Sequence, residues 1–254
     1  MTDISIFQYA LICPLVFLAG FVDAVAGGGG LISLPAYLMS GLPIPYVLGT
    51  NKLSSAMGTT LATVKYAMNG YVSWRPALFG VAAAVIGSSA GANLALFIDP
   101  AYFRIIILII LPLTAAYVLT RKSIETDAPP FGETKTVALA AASALGIGLY
   151  DGFYGPGTGT FLLLLLTGVA HMRVTEANGV TKVINLTTNT AALAVFILHG
   201  NVLWQLGLVA GICNIAGNYF GVKYFERNGA GSVKKLIPLV LAIFFAKTIW
   251  EMMH

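Results

Sequence analysis

The sequence predicts an all-α integral membrane protein, a duplicated helical bundle with two glycine-broken segments (half-helices or re-entrant hairpins) arranged as inverted repeats. Three observations predict it. Of 254 residues, 57% are apolar and 9% charged, where soluble domains carry about 25% charged residues. Apolar runs near the length that spans hydrocarbon as helix recur along the chain. The two halves also match each other in register. So few charges could not cover a soluble surface, which excludes a soluble enzyme. High hydropathy excludes disorder. The net charge of +4 suits a bilayer protein with basic cytoplasmic loops, and points to no nucleic acid.

The first apolar run, Ile6–Ala26, follows an N-terminus with no basic n-region and no small-residue cleavage site, so it is expected to stay in the mature protein. Further spans are predicted at Asn51–Met68, Ala77–Ile98, Tyr102–Thr120, Thr136–Phe153, Asn178–Leu198, Val202–Tyr224 and Val233–Trp250. Two shorter runs, Leu31–Ser40 and Thr160–Val169, cannot cross alone. Each follows a glycine-rich break, Gly27-Gly28-Gly29-Gly30 in one case and Gly155-Pro156-Gly157-Thr158-Gly159 in the other. Interrupted short segments at corresponding places in two halves are the best sequence pointer to a transporter binding site.

At an offset of 128, Asp23, Gly27 and Gly29 meet Asp151, Gly155 and Gly157. At 130, Gly49, Lys52, Gly70, Trp74, Gly87 and Gly91 meet Gly179, Lys182, Gly200, Trp204, Gly217 and Gly221. The chain thus divides into a first repeat (1–120), a hydrophilic linker (121–135) and a second repeat (136–254). If each broken segment crossed once, four basic loop residues would face one side and six the other. If each leaves on the side it entered, Arg104 stands alone against the remaining nine. The positive-inside rule prefers the second arrangement, which makes the linker cytoplasmic, both termini extracytoplasmic and the repeats inverted.

The breaks are the first candidates for function. Unwound backbone at membrane depth persists only where protein or a water-filled cavity satisfies it. Helices restarting after the breaks present N–H groups and positive dipole ends. Two such ends facing each other would hold an anion, making Gly28, Gly29, Gly30, Gly157, Thr158 and Gly159 candidate ligands. Asp23 and Asp151, four residues before each break, are candidates for proton coupling or for support of the unwound loop. Lys52 and Lys182 lie near predicted span starts, where snorkelling is the plain alternative. They nevertheless belong to polar stripes: Asn51, Lys52, Ser54, Ser55, Thr59 and Thr63 in one half, and Asn178, Thr181, Lys182, Asn185, Thr188 and Asn189 in the other. Asn51, Lys52, Lys182 and Asn185 complete the expected anion site.

Other features are expected to be structural. Cys13 and Cys213 are predicted to be buried free thiols. His171, His199 and His254 lack metal-ligand spacing, no nucleotide motif occurs, and neither metal nor cofactor is expected. Gly87/Gly91 and Gly217/Gly221 predict close helix packing, and Trp74 and Trp204 interfacial positions.

The stretch Gly20-Phe-Val-Asp-Ala-Val-Ala-Gly-Gly-Gly-Gly-Leu-Ile32, then Pro35 and Gly49-Thr-Asn-Lys-Leu53, resembles the TauE/SafE family of sulfite-exporter-like permeases. Tyr150-Asp-Gly-Phe-Tyr-Gly-Pro-Gly-Thr-Gly159 resembles that family's second repeat. The similarity covers nearly the whole chain, although Gly179-Val-Thr-Lys182 keeps only the glycine and lysine of its counterpart. The resemblance implies a multi-pass inner-membrane protein and a cargo that is a small sulfur oxyanion or organosulfonate, such as sulfite or sulfoacetate. The expected function is therefore secondary transport, exporting that anion by alternating access around a midplane site, and not an enzymatic one. A coupled proton and a homodimer are compatible with it. A passive anion channel is the alternative, and an intramembrane aspartyl protease, built on Asp23 and Asp151, a more distant one.

Overall fold

The computed structural model describes residues 5–99, 102 and 130–229. The expected span Val233–Trp250, that at 103–120 and the linker up to residue 129 lie outside the described residues. Within them the chain forms eight helices and no strand. They are α1 (Ile6–Ala26), α2 (Gly30–Leu38), α3 (Ile44–Met68), α4 (Trp74–Phe97), α5 (Glu133–Phe153), α6 (Thr158–Gly168), α7 (Val174–Leu198) and α8 (Trp204–Asn228). Four of these, α1, α4, α5 and α7, are long and apolar enough to cross a membrane.

Local chemistry sets the element ends. Ser5 caps α1 in a reciprocal capping box with Gln8. Gly27, at φ 74°, closes α1 in the left-handed conformation that other residues avoid. Pro43 precedes α3 and Pro45 lies in its first turn, where a missing N–H costs nothing. That is why α3 begins at Ile44, earlier than the predicted Asn51. Likewise α7 begins at Val174, ahead of Asn178, with Glu176 in its first turn favoured by the helix dipole.

Both broken segments return to the side they came from. Gln8, at the start of α1, donates from Nε2 to the Ser40 carbonyl just past α2 at 2.9 Å. The Phe131 ring ahead of α5 stacks on His171 beyond α6, with centroids 4.0 Å apart. α1–α2 and α5–α6 are therefore antiparallel hairpins. Four helix starts or ends define one face of the bundle: Arg75 of α4 pairs with Glu133 of α5 at 2.5 Å, and Asn69 after α3 bonds Glu226 of α8 at 2.6 Å. At the opposite face the Leu203 amide donates to Thr50 Oγ1 at 3.0 Å.

The glycine pairs make the tightest seams. Gly87 and Gly91 of α4 lie against the carbonyls of Leu145 and Leu149 of α5, and Gly217 and Gly221 of α8 against those of Phe17 and Phe21 of α1. Contacts advancing in the same sense on both partners mean that α4 runs parallel to α5, and α1 to α8. Small residues at this spacing let backbones approach, the main route to helix packing in lipid. Trp74 and Trp204 open α4 and α8 and are exposed. Cys13 and Cys213 are free, as expected, but half-buried rather than buried. They are neighbours, continuing the α1/α8 register that sets Phe17 against Gly217.

Candidate functional site

The two glycine breaks meet. The Thr160 amide donates to the Gly27 carbonyl at 3.2 Å, and Thr160 Oγ1 to the Ala26 carbonyl at 2.9 Å. A Cβ placed on Gly27 would lie 2.6 Å from Gly159 Cα. Only a residue without a side chain permits this crossing of backbones. α2 and α6 thus start from a common point and run away from it toward opposite faces.

Around that crossing lies a small cavity of about 30 Å³, large enough to admit water. Its wall includes Asp23, Gly29, Gly30, Asn51, Lys52, Asp151, Thr158, Gly159 and Asn185, nine of the twelve expected site residues. Gly28, Gly157 and Lys182 are not on the wall. Gly157, at φ 82°, turns the chain into α6, and the Gly28 carbonyl accepts from the Leu31 amide at 3.1 Å. Lys182 stands behind Asp23 and donates from Nζ to that residue's main-chain carbonyl, 5.8 Å from the Tyr66 ring centroid.

The wall also has members that the sequence reasoning did not place there: Ser33, Ser55, Thr59, Asn189 and Asn214. Ser55, Thr59 and Asn189 belong to the polar stripes, but Ser33 and Asn214 were missed. The signal for Asn214 was present, because Asn214 and Asn218 sit four residues apart in an apolar helix and bond each other at 2.7 Å. Nothing in the sequence distinguishes Ser33.

Lys52 and Asp151 form a buried ion pair between α3 and α5. Lys52 Nζ of α3 lies 2.7 Å from Asp151 Oδ2 of α5, with Lys52 3% and Asp151 2% exposed. Lys182 is 0% exposed, so neither lysine snorkels. Asp151 Oδ1 accepts from the Thr158 hydroxyl at 2.6 Å. Asp23 is held differently: its carboxylate accepts from Asn185 Nδ2 at 3.4 Å. The pseudo-equivalent residues therefore have unlike environments. A shared-proton aspartyl dyad has no support here, since Lys52 and Thr158 engage both oxygens of Asp151.

The α7 stripe of Asn178, Thr181, Lys182, Asn185, Thr188 and Asn189 is buried throughout. Asn178 Nδ2 bonds the Tyr66 hydroxyl at 3.0 Å and the Val25 carbonyl at 3.1 Å, while Tyr66 donates to the Ala24 carbonyl at 2.9 Å. These bonds satisfy carbonyls that the end of α1 leaves free. The Ser33 hydroxyl, by contrast, is buried on the cavity wall without a hydrogen-bond partner. A native buried polar group of that kind calls for a partner in the space it faces.

A bundle of apolar helices with two hairpins broken at one buried, ion-paired cavity is the build of a membrane transporter. The chain belongs to the TauE/SafE sulfite exporter family: the profile described as "Sulfite exporter TauE/SafE" matches residues 12–248. Among its relatives are "Probable membrane transporter protein ORF9" of Sinorhizobium, 34% identical over 94% of this chain and 92% of that protein, and a probable membrane transporter protein of Haemophilus influenzae, 32% identical over 98% and 97%. The probable membrane transporter protein YfcA of Escherichia coli is 30% identical over 93% and 88%. No solved structure matches the chain.

Proposed function

We propose that the protein is a secondary transporter that exports a small sulfur-containing anion, sulfite or an organosulfonate, across the inner membrane. The observation that carries this is the meeting of the two breaks around a cavity lined by Lys52, with Lys182 behind Asp23. Each break starts a helix whose first-turn amides and positive dipole end favour negative charge, and Gly30 and Gly159 bring those turns to the wall. Asn51, Asn185 and Ser33 add neutral polar groups beside Lys52. The sulfur chemistry of the cargo rests on the family's name.

The helix directions favour inverted repeats, since one hairpin enters from each face. Among the described residues, Arg75, Lys135, Arg173, Lys223 and Arg227 all lie toward the face where α4, α5 and α7 start, and the opposite face carries no lysine or arginine. By the positive-inside rule the basic face is cytoplasmic and the N-terminus extracytoplasmic. Alternating access then turns about the crossing of Gly27 and Gly159.

Counterflow tests this. Proteoliposomes loaded with unlabelled sulfite and diluted into a trace of radiolabelled sulfite should accumulate label transiently. A passive channel cannot do so, and label that only equilibrates would replace the transporter by a channel. The double variant Lys52→Ala/Lys182→Ala should abolish counterflow. Unchanged flux would remove both lysines from the mechanism.

A further inference from the structure

The two aspartates of the site differ in a way that bears on coupling. The hydrogen bond that the Asp23 carboxylate receives comes from a side-chain amide nitrogen, Asn185 Nδ2 at 3.4 Å. A nitrogen placed so donates and does not accept, so a proton on that oxygen would require the Asn185 amide to turn over.

Asp151 is held by a hydroxyl. Thr158 Oγ1 lies 2.6 Å from Asp151 Oδ1 and 2.7 Å from the Gly155 carbonyl oxygen. A hydroxyl has one proton and two lone pairs, so it serves one of these oxygens at a time. With Asp151 ionised, Thr158 donates to Oδ1. With Asp151 protonated on Oδ1, the acid donates to Thr158 Oγ1 and the Thr158 proton turns to the Gly155 carbonyl. Both states are satisfied without moving a heavy atom. At the matching position of the first break stands Gly30, which has no hydroxyl, so the device exists once.

The other oxygen of Asp151 holds Lys52 at 2.7 Å. An anion drawn to Lys52 would leave Asp151 as an uncompensated buried charge, which is strongly unfavourable. A proton taken up by Asp151 from water removes that charge. Of the charged groups around Asp151, Lys52 comes from α3, Asp23 from α1, and Lys182 from α7 behind Asp23. The hydroxyl of Tyr150, its neighbour on α5, is bound to the Pro156 carbonyl at 2.6 Å. The ionisable residue of α4, Arg75, pairs with Glu133 at the far end of α5, roughly 27 Å away by helix rise.

We infer that Asp151 is the single proton carrier of the cycle, that the Thr158 hydroxyl is the rotor serving both its protonation states, and that the anion and one proton cross in the same direction. This rests on the transporter reading above. The balance is simple. On loading, the Lys52–Asp151 bond gives way to a Lys52–anion bond, and one proton joins the Asp151 carboxylate. On release both steps reverse, and the proton leaves with the anion. The direction of net flux then follows the combined anion and proton gradients.

Proteoliposomes containing the full chain, radiolabelled sulfite and a lumenal pH dye separate the two levels of the proposal. The wild type should move one proton with each anion in the same sense, after correction for the protonation of free sulfite. Sulfite flux without proton movement would overturn the inference and leave the transporter reading standing, whereas absence of sulfite counterflow would end both. In whatever sulfite flux Asp151→Asn keeps, the accompanying proton should be lost, and a proton still counted with each anion would overturn the inference. Asp23→Asn should slow transport with the proton count per anion unchanged, and a count that falls in Asp23→Asn would transfer the role to Asp23. Thr158→Val should shift the pH profile of flux, and Thr158→Ser should restore it. Equal profiles in Thr158→Val and the wild type would remove the rotor.

Discussion

Replacing Lys52 by methionine keeps much of the side chain's volume and removes the ammonium 2.7 Å from Asp151 Oδ2. The carboxylate retains its Thr158 bond at 2.6 Å but sits nearly sealed from solvent with its charge unpaired. Breaking a buried ion pair from one side costs about 3–5 kcal/mol, because the abandoned charge stays desolvated. The pair Arg75–Glu133 supplies an internal reference. Its side chains are 61% and 59% exposed, and exposed pairs contribute about 0–1 kcal/mol. Reversible unfolding of purified protein in mixed detergent micelles, followed by circular dichroism, measures both. Lys52→Met should lose several times the stability that Arg75→Met loses. The double variant Lys52→Met/Asp151→Leu should recover most of it, since apolar replacement of a whole buried pair is often near neutral. If Lys52→Met cost no more than Arg75→Met, the buried pairing would not exist in the folded protein.

Three further outcomes follow from the packing. Gly27→Ala forces a left-handed φ of 74° on an L side chain and drives its Cβ into Gly159, so it should cost more than about 2 kcal/mol in the same unfolding assay; Gly132→Ala, with nothing within 4 Å, should stay within about 0.5 kcal/mol of wild type. Tyr66→Phe removes the donor to the Ala24 carbonyl and the acceptor for Asn178, and should lose about 1–3 kcal/mol. Gly91→Val, placed against the Leu149 carbonyl, should separate α4 from α5 and lower the yield of folded protein, read by size-exclusion chromatography.

Much of the fold was legible because lipid imposes a length on apolar runs. Ile6–Ala26 was read to the residue, and α4, α5 and the two short helices to within three. The breaks were legible because four glycines, or Gly-Pro-Gly-Thr-Gly, have no place in a plain helix. The early starts of α3 and α7 were not, because polar residues near a helix end look like its boundary when hydropathy is the guide. Asn51, Lys52, Asn178 and Lys182 looked like edges and instead lie a turn or two inside. Matching repeats pointed to Lys52 and Asp151 separately. Their pairing joins α3 to α5, and no local spacing in the sequence encodes it. Ser33 stayed invisible for a related reason, since a lone serine in an apolar helix becomes informative only once the cavity beside it is seen.

The central claim is that a negatively charged cargo binds where the two breaks meet, against Lys52. Equilibrium binding of radiolabelled sulfite to purified, detergent-solubilised protein tests it most directly, in the wild type and in Lys52→Gln. Binding to the wild type should be saturable and displaced by excess unlabelled sulfite, with affinity at least tenfold weaker in a folded Lys52→Gln. Equal affinity in the two proteins, or no saturable binding to the wild type, would contradict it.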